Sequence, residues 1–132
     1  MINVYFDLPD LPSVDFDGKF YDEIGRIVED DLKLGYARQL SPSGIPWLPS
    51  QRVQRFGGLT LIKSGKMRDS LTHSVGNSYV DVGYPRIGDA NVPKYLHEGH
   101  SKGYFPARKH LGISAAAETK IGQLIERQLN GN

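Results

Sequence analysis

The sequence of 132 residues contains no cysteine, which excludes a disulfide framework, a thiolate nucleophile and a cysteine-based zinc site. This composition fits a reducing compartment such as a cytoplasm. Long hydrophobic runs are also missing, because the uninterrupted apolar stretches are far shorter than the about 20 residues of a membrane-spanning helix. The first residues carry neither a basic cluster nor a continuous apolar segment, so we expect no secretion signal.

The chain also has little net charge, with 16 basic and 15 acidic residues and a formal charge of +1. No overall field therefore attracts nucleic acid or an anionic membrane. The hydrophobic content of 39% and the charged content of 23% are ordinary for a soluble protein. Because domains commonly run to about 100–150 residues, we expect one domain over residues 1–132.

The first part of the chain predicts a strand and then a long helix. Apolar and polar residues alternate over residues 2–8, which is the pattern of a half-buried strand. From about Gly18 to Gln39 the period becomes helical, with Asp17 as the N-cap and Pro42 beyond the end. The stripe predicted to face the core consists of Phe20, Ile24, Ile27, Val28, Leu32 and Leu34.

Asp31 interrupts this stripe, since a helical projection puts it between Ile24 and Ile27. A buried carboxylate without a partner is too costly to keep. One interpretation is that the helix ends or bends before Asp31. The other is that Asp31 meets a basic group, either on this chain, where Arg38 lies two turns further on, or on a neighbouring copy.

Two segments rich in glycine and proline, Ser41–Gly58 and Pro85–Tyr104, predict long loops, the second with one helical turn around Val92–Leu96. Loops of this length are usually functional or disordered, and we expect these two to order on assembly. Between them, Gly76-Asn77 predicts the turn of a hairpin whose second strand covers Tyr79–Tyr84.

A turn or short helix is predicted from Ser64 to Ser70, and Ser114 is expected to cap a final helix. The apolar stripe of that helix consists of Ala117, Ile121, Leu124, Ile125 and Leu129. The predicted fold is α+β, in which a long N-terminal helix and a C-terminal helix pack on a small antiparallel β-sheet.

Catalytic motifs are weak throughout. His97 and His100 are three residues apart, whereas the zinc motif of metalloproteases needs two histidines four apart on a helix. The segment Gly112–Ala116 is similar to a weakened nucleophile elbow, but a capping serine explains it fully. We therefore expect no catalytic residue, no metal and no cofactor.

Basic residues form local clusters that permit a different interpretation. With Trp47 nearby, they suggest single-stranded nucleic-acid binding through stacking and phosphate contacts. The balanced total charge favours a solvated surface instead, followed by protein–protein contact, since Trp, Tyr and Arg are enriched at interface hot spots. The clusters consist of Arg52, Arg55, Lys63, Lys66, Arg68, Lys102, Arg108 and Lys109.

The order of several short motifs is the most specific feature of the sequence. These motifs are Gly44-Ile45-Pro46-Trp47-Leu48-Pro49, Ser64-Gly65-Lys66-Met67-Arg68-Asp69-Ser70, Val80-Asp81-Val82-Gly83, Tyr95 with His97-Glu98-Gly99, Pro106-Ala107-Arg108 and Leu111-Gly112. In this order, over roughly residues 17–129, they resemble the phage virion-morphogenesis proteins of the Mu-like tail-completion group. Lys109-His110 stands where that family usually has Pro-Phe.

The resemblance implies a structural phage or prophage protein that acts in virion assembly, with no cofactor and no catalysis. It would complete or terminate the tail, or join the tail to the head, through subunits that assemble as rings. The implied partners are other copies of itself and tail-tube or head–neck proteins, with no membrane and no nucleic acid. Its expected location is the host cytoplasm during assembly and then the virion.

Four residues are candidate assembly contacts, namely Trp47, Arg68, Tyr95 and Arg108. Two of them have an alternative role. The Trp47 ring would instead cover the core of its own subunit, and Arg108 would form an internal salt bridge or a helix-end contact. Two other functions also stay open, a small nucleic-acid-binding module and a metal-dependent hydrolase that uses the His97 region.

Overall fold

The computed structural model describes residues 2–4, 16–62, 64–77, 79–85, 92–99, 102 and 106–130, without the side chains of residues 2–4, Val92 and Tyr95. The elements in chain order are β1 (Ile2–Val4), α1 (Gly18–Arg38), α2 (Gln51–Phe56), α3 (Lys66–Ser70), β2 (Thr72–Val75), β3 (Val80–Tyr84), α4 (Val92–Glu98) and α5 (Ala115–Leu129). The strands form an antiparallel sheet in the order β1-β3-β2. Helix α1 packs on β2 and β3, and α5 packs on α1. The predicted α+β fold is confirmed.

Helix α1 begins and ends for local reasons. An Asp17 carboxylate oxygen accepts a hydrogen bond from the Phe20 backbone N–H at 2.9 Å, which confirms the predicted N-cap. The helix ends at Gln39, whose φ of 58° is left-handed, and the Leu40 N–H then bonds to the Gly35 carbonyl at 3.0 Å.

The buried face of α1 is shifted relative to the predicted stripe. Leu34 is 43% exposed, so its assignment to the core was wrong. The reason is that Tyr21, Gly25 and Tyr36 also face inward, which moves the centre of the buried arc away from Leu34. The residues of α1 that are buried are Phe20, Tyr21, Ile24, Gly25, Val28, Leu32 and Tyr36.

This shift also places Asp31 at the edge of the buried face. The helix runs through to Arg38, so the interpretation that it ends before Asp31 is wrong. The side chain is half-buried, and no ion pair among the described residues includes it. A basic partner on a neighbouring copy stays a prediction.

The predicted hairpin is confirmed, with β2 and β3 in a register that pairs Val75 with Val80 and Thr72 with Gly83. Val80 and Val82 belong to the main hydrophobic core, which also contains residues of α1 and α5. The same register carries His73 onto the surface of α1.

The segment Ser41–Gly58 is more structured than the predicted loop, because it contains α2. Ser50 caps α2, accepting a bond from Val53 N–H at 3.3 Å. No residue of α2 is buried, so the helix leaves no apolar periodicity in the sequence. In the second predicted loop, α4 extends two residues beyond the expected turn to Glu98, and residues 86–91, 100, 101, 103 and 104 lie outside the described residues.

Hydrogen bonds between Gln39, Ser50 and Thr60 join the parts of the chain before and after α2, and we call these three residues the neck. The Gln39 side chain bonds to the Thr60 backbone twice, through Nε2 to the carbonyl at 2.9 Å and through Oε1 to the N–H at 2.7 Å. The Thr60 hydroxyl accepts a bond from Ser50 N–H at 3.2 Å. Thr60 is therefore buried with its polar groups satisfied.

Helices α3 and α5 form as predicted. The Ser114 hydroxyl accepts a bond from Ala117 N–H at 3.0 Å, which confirms the capping role. Leu129 is 42% exposed, so its place in the apolar stripe was wrong, since the last turn of α5 extends past the core that ends at Ile125. Within the described residues, no helix has the length and apolar character needed to cross a membrane.

Gly25 should be intolerant of any side chain. A Cβ there would overlap the His73 ring and lie 2.8 Å from Val80 Cγ2. His73 cannot move away easily, because its ring nitrogens contact carboxylate oxygens of Asp22 at 2.8 Å and Glu29 at 3.1 Å. We expect Gly25→Ala to lower the free energy of unfolding by about 1–3 kcal/mol in urea titrations.

The matched control is Gly122→Ala in α5, where a Cβ meets nothing within 4 Å. Because alanine favours helix over glycine, this variant should gain up to about 1 kcal/mol. Equal effects of the two substitutions would show that α1 does not approach β2 as closely as described.

Candidate functional site

Arg108 forms hydrogen bonds to two separate segments of the chain, namely α4 and the residues just before α2. Its backbone N–H donates to the Leu96 carbonyl in α4 at 3.0 Å. Its guanidinium donates from Nε to the Leu48 carbonyl at 2.7 Å and from Nη2 to the Pro49 carbonyl at 3.4 Å. The residue is 7% exposed, so these bonds satisfy a nearly buried charge. Burial lowers the pKa of the guanidinium, which nevertheless stays charged.

Trp47 approaches the same place from the opposite segment. Its indole Nε1 donates to the Lys109 carbonyl at 2.8 Å, and the residue is 8% exposed. The ring meets Tyr36 edge to face, with centroids 5.5 Å apart. Trp47 therefore covers the core of its own subunit. Arg108 is likewise internal, although it bonds to carbonyl oxygens and not in a salt bridge with any described carboxylate.

We call the contact of Trp47–Pro49 with Arg108–Lys109 the junction. A chain of buried hydrogen bonds runs beneath it. The Tyr36 and Tyr84 hydroxyls lie 2.6 Å apart, the Tyr84 hydroxyl is 2.8 Å from His110 Nδ1, and His110 Nε2 is 3.0 Å from the Pro93 carbonyl. A carbonyl can only accept, so Nε2 carries the proton of a neutral His110 and Nδ1 accepts from Tyr84. Tyr84 in turn accepts from Tyr36, which gives the whole chain one direction.

Burial controls the ionisation of this network. Desolvation lowers the pKa of His110 to about 4 and raises the pKa values of Tyr36 and Tyr84 above their usual range. His97 lies next to it, with ring centroids 5.1 Å apart, and its Nδ1 accepts from His110 N–H at 3.2 Å. Desolvation also lowers the pKa of His97. The network is therefore neutral near pH 7.

The glycine of the His97-Glu98-Gly99 motif has a steric role. Gly99 has a φ of 81°, and a Cβ there would lie 2.6 Å from the Ala107 backbone nitrogen. Glycine is therefore the residue that permits the end of α4 to cross the chain just before Arg108. This places two of the ordered motifs in direct contact.

The four candidate contacts predicted from the sequence occupy different positions. Trp47 and Arg108 lie together at the junction, whereas Arg68 lies on α3, where its Nε donates to Asp69 Oδ1 at 2.8 Å. The Arg68 side chain is 36% exposed. Tyr95 belongs to α4, but its side chain lies outside the described part of the chain.

Sequence reasoning missed Tyr36, Tyr84 and His110 as members of this site. Tyr36 follows Leu32 at the helical spacing of four, so extending the α1 stripe by one turn would have found it. Tyr84 continues the alternation of its strand. His110 gave no signal beyond its difference from the family pattern.

An exposed apolar segment lies beside the junction. We call residues 45–59 the α2 segment, since they contain α2 and the residues on either side of it. Soluble proteins rarely leave several large apolar side chains exposed close together without a partner. The exposed ones here are Ile45 at 65%, Leu48 at 64%, Phe56 at 84% and Leu59 at 44%.

The fold and this junction define a small α+β protein whose motif residues bond to one another. Among the described residues, no group of three or more His, Asp or Glu side chains is arranged to hold a metal ion. The chain matches the phage virion morphogenesis family over residues 16–130, so it belongs to that family, as the resemblance predicted. Membership gives it a structural role in phage virion assembly. No curated protein and no solved structure matches the chain significantly.

Trp47 should contribute strongly to the stability of the isolated subunit. We expect Trp47→Ala to lower the free energy of unfolding by about 3–5 kcal/mol, because it removes a buried aromatic ring. Trp47→Phe should cost about 1–2 kcal/mol, because it leaves the Lys109 carbonyl without its donor. Denaturant titration measures both values. Leu48→Ala, at an exposed neighbouring position, should stay within about 0.5 kcal/mol, and a similar loss there would contradict the assignment.

Acid should destabilise the fold through His110. Its folded-state pKa of about 4 lies below the ordinary value of 6.5, so the unfolded chain binds more protons between these two values. The contribution is complete above pH 6.5, and up to about 3 kcal/mol is lost as the pH falls to 4. Urea unfolding at pH values from about 7.5 to about 4.5 measures this slope.

Two variants isolate the contribution of His110. His110→Phe, which removes the imidazole and keeps an aromatic ring, should flatten the pH dependence and leave the smaller contribution of His97. Tyr84→Phe keeps the buried imidazole, so it should lower the free energy of unfolding at every pH and retain the slope. If the curve of His110→Phe runs parallel to that of the unchanged protein, His110 is not the group that titrates.

Proposed function

We propose that this protein completes or terminates a phage tail, or joins the tail to the head, as a ring of identical subunits. Its proposed partners are other copies of itself and tail-tube or head–neck proteins. It would act in the host cytoplasm during assembly and then remain in the virion. The general role in virion assembly rests on family membership over residues 16–130. The proposed contacts between subunits and with tail or neck proteins rest on the arrangement of the α2 segment.

The observation that carries the proposal is how firmly the base of the α2 segment is held. Arg108 bonds to the Leu48 and Pro49 carbonyls, and Trp47 bonds to Lys109, immediately before α2 begins. Beyond this base no residue of α2 is buried. A rigid base that carries exposed apolar side chains suits a protein–protein contact, because little ordering is lost on binding.

The four candidate residues divide between two proposed roles. Trp47 and Arg108 act as positioning residues, because their polar atoms are already bonded within the subunit. Arg68 and Tyr95 are proposed as direct contacts. The Arg68 guanidinium is partly exposed and pairs with its neighbour Asp69, which leaves donors available for a partner's carboxylate.

Loss of the gene from its phage should stop assembly after heads and tails have formed. Electron microscopy would separate the three roles. Tails of uncontrolled length indicate termination, complete tails beside filled heads indicate joining, and tails of normal length that fail to attach or that disintegrate indicate completion. Normal infectious particles in the absence of the protein would refute the proposal.

Arg68→Ala provides a residue-level test of the same role. An exposed ion pair adds little to stability, so the isolated variant should melt at nearly the same temperature. If Arg68 contacts a partner, the variant should nevertheless complement the deleted gene poorly in an infection assay. The matched control is Arg26→Ala, which removes a comparable exposed pair with Asp22 on α1. Full complementation by Arg68→Ala would remove Arg68 from the interface.

A further inference from the structure

A small cavity opens beside the C-terminal half of α1. Its volume is about 150 Å³, and we call it the α1 cavity. Most of its wall is apolar, and it is formed by α1, by the loop that follows α1, and by His110, Ser114 and Ala116. Its principal lining side chains are Asp31, Leu32, Leu34, Arg38, Pro42 and Trp47.

Asp31 gives this cavity an unsatisfied charge. The carboxylate is half-buried and lines the wall, yet it has no ion pair or side-chain hydrogen bond with any described residue. Arg38 lines the same cavity but is not within ion-pair distance of Asp31. A carboxylate that has no partner among the described residues of its own subunit can pair with a cation that enters the cavity from outside.

The complementary group lies at the end of α2. Phe56 is 84% exposed, and Arg55 beside it is exposed and forms no ion pair with a described residue. A volume of about 150 Å³ is large enough for one benzene ring, which is the size of the Phe56 side chain. The ring would meet the Trp47 indole and accept the Arg38 guanidinium over its face.

Phe56 and the α1 cavity are separate features of the subunit, because no residue of α2 lines the cavity and Phe56 is 84% exposed. Contact between two different patches of identical subunits is head-to-tail, and it generates a ring or an open filament. We propose that Phe56 of one copy fills the α1 cavity of a second copy, and that Arg55 pairs there with Asp31. This inference deepens the proposed function, on which it rests, by naming the partner and the surface.

The absence of cysteine makes a direct cross-linking test possible. Two single-cysteine variants, F56C and L34C, are purified, mixed and oxidised under mild conditions. We expect disulfide-linked heterodimers of F56C with L34C to form at least about fivefold faster than those of F56C with K120C, a control at an exposed site on α5. A chain that carries both F56C and L34C should form a ladder of higher oligomers.

Three results would overturn the contact. F56C links to K120C as fast as to L34C, it links mainly to itself in a symmetric α2–α2 contact, or no disulfide forms and F56D complements fully in the infection assay. Circular dichroism of each variant before mixing shows that every chain compared is folded. Each result therefore reports on the contact and not on misfolding.

A charge exchange tests the pairing of Arg55 with Asp31. We expect R55E in the F56C chain, or D31R in the L34C chain, to slow heterodimer formation by about fivefold, since each leaves two like charges opposed. Combining R55E with D31R restores opposite charges and should recover the original rate. Losses that simply multiply in the combination would show that these two residues do not pair.

The infection assay separates failure of this contact from failure of the proposed function. If virions need the protein but F56D complements fully and no specific disulfide forms, the contact is wrong and the assembly role stands. If the disulfides form as expected while deletion of the gene leaves virions normal, the subunits associate but the proposed function is wrong.

Discussion

A reciprocal pair of hydrogen bonds holds together the two irregular stretches of this protein. The Trp47 side chain bonds to the backbone at Lys109, and the Arg108 side chain bonds to the backbone at Leu48, across separations of 62 and 60 residues. Among the described residues, neither stretch pairs with a strand apart from the isolated bridge of Leu40 with Pro46, and buried peptide groups need partners. The Trp47 and Arg108 side chains therefore supply hydrogen bonds to backbone carbonyls that a neighbouring strand would supply in a sheet. The remaining motifs of the junction, including the Gly99 crossing, depend on this geometry.

The buried chain from Tyr36 to Pro93 extends the same principle into the core. Each of its polar groups has a partner, so the network joins α1, β3 and α4 without an unpaired donor or acceptor along its length. Such a network specifies one arrangement of these elements, because a partial rearrangement would leave a buried group unsatisfied.

Local patterns predicted the regular elements well and the junction poorly. The caps at Asp17 and Ser114, the helices α1 and α5 and the hairpin of β2 and β3 follow from patterns of neighbouring residues, and all are confirmed. Leu34 was misassigned because a projection cannot locate the edge of a buried face until its packing partner is known. The meeting of Trp47 with Arg108 involves irregular backbone and distant residues, so periodicity carries no trace of it. The order of the family motifs was the sequence feature that drew attention to these two residues.

The neck formed by Gln39, Ser50 and Thr60 separates residues 51–59, which we call the appendage, from the rest of the subunit, which we call the frame. Hydrogen bonds of Gln39, Ser50 and Thr60 hold the two ends of residues 51–59 close together, so this segment leaves the rest of the subunit and returns to it through adjacent points. The entropic cost of closing such a loop grows slowly with its length, so the neck separates the stability of the frame from the identity of what it carries. Evolution can therefore replace the residues of this appendage, which adapts the surface around α2 to a new partner while the frame stays unchanged.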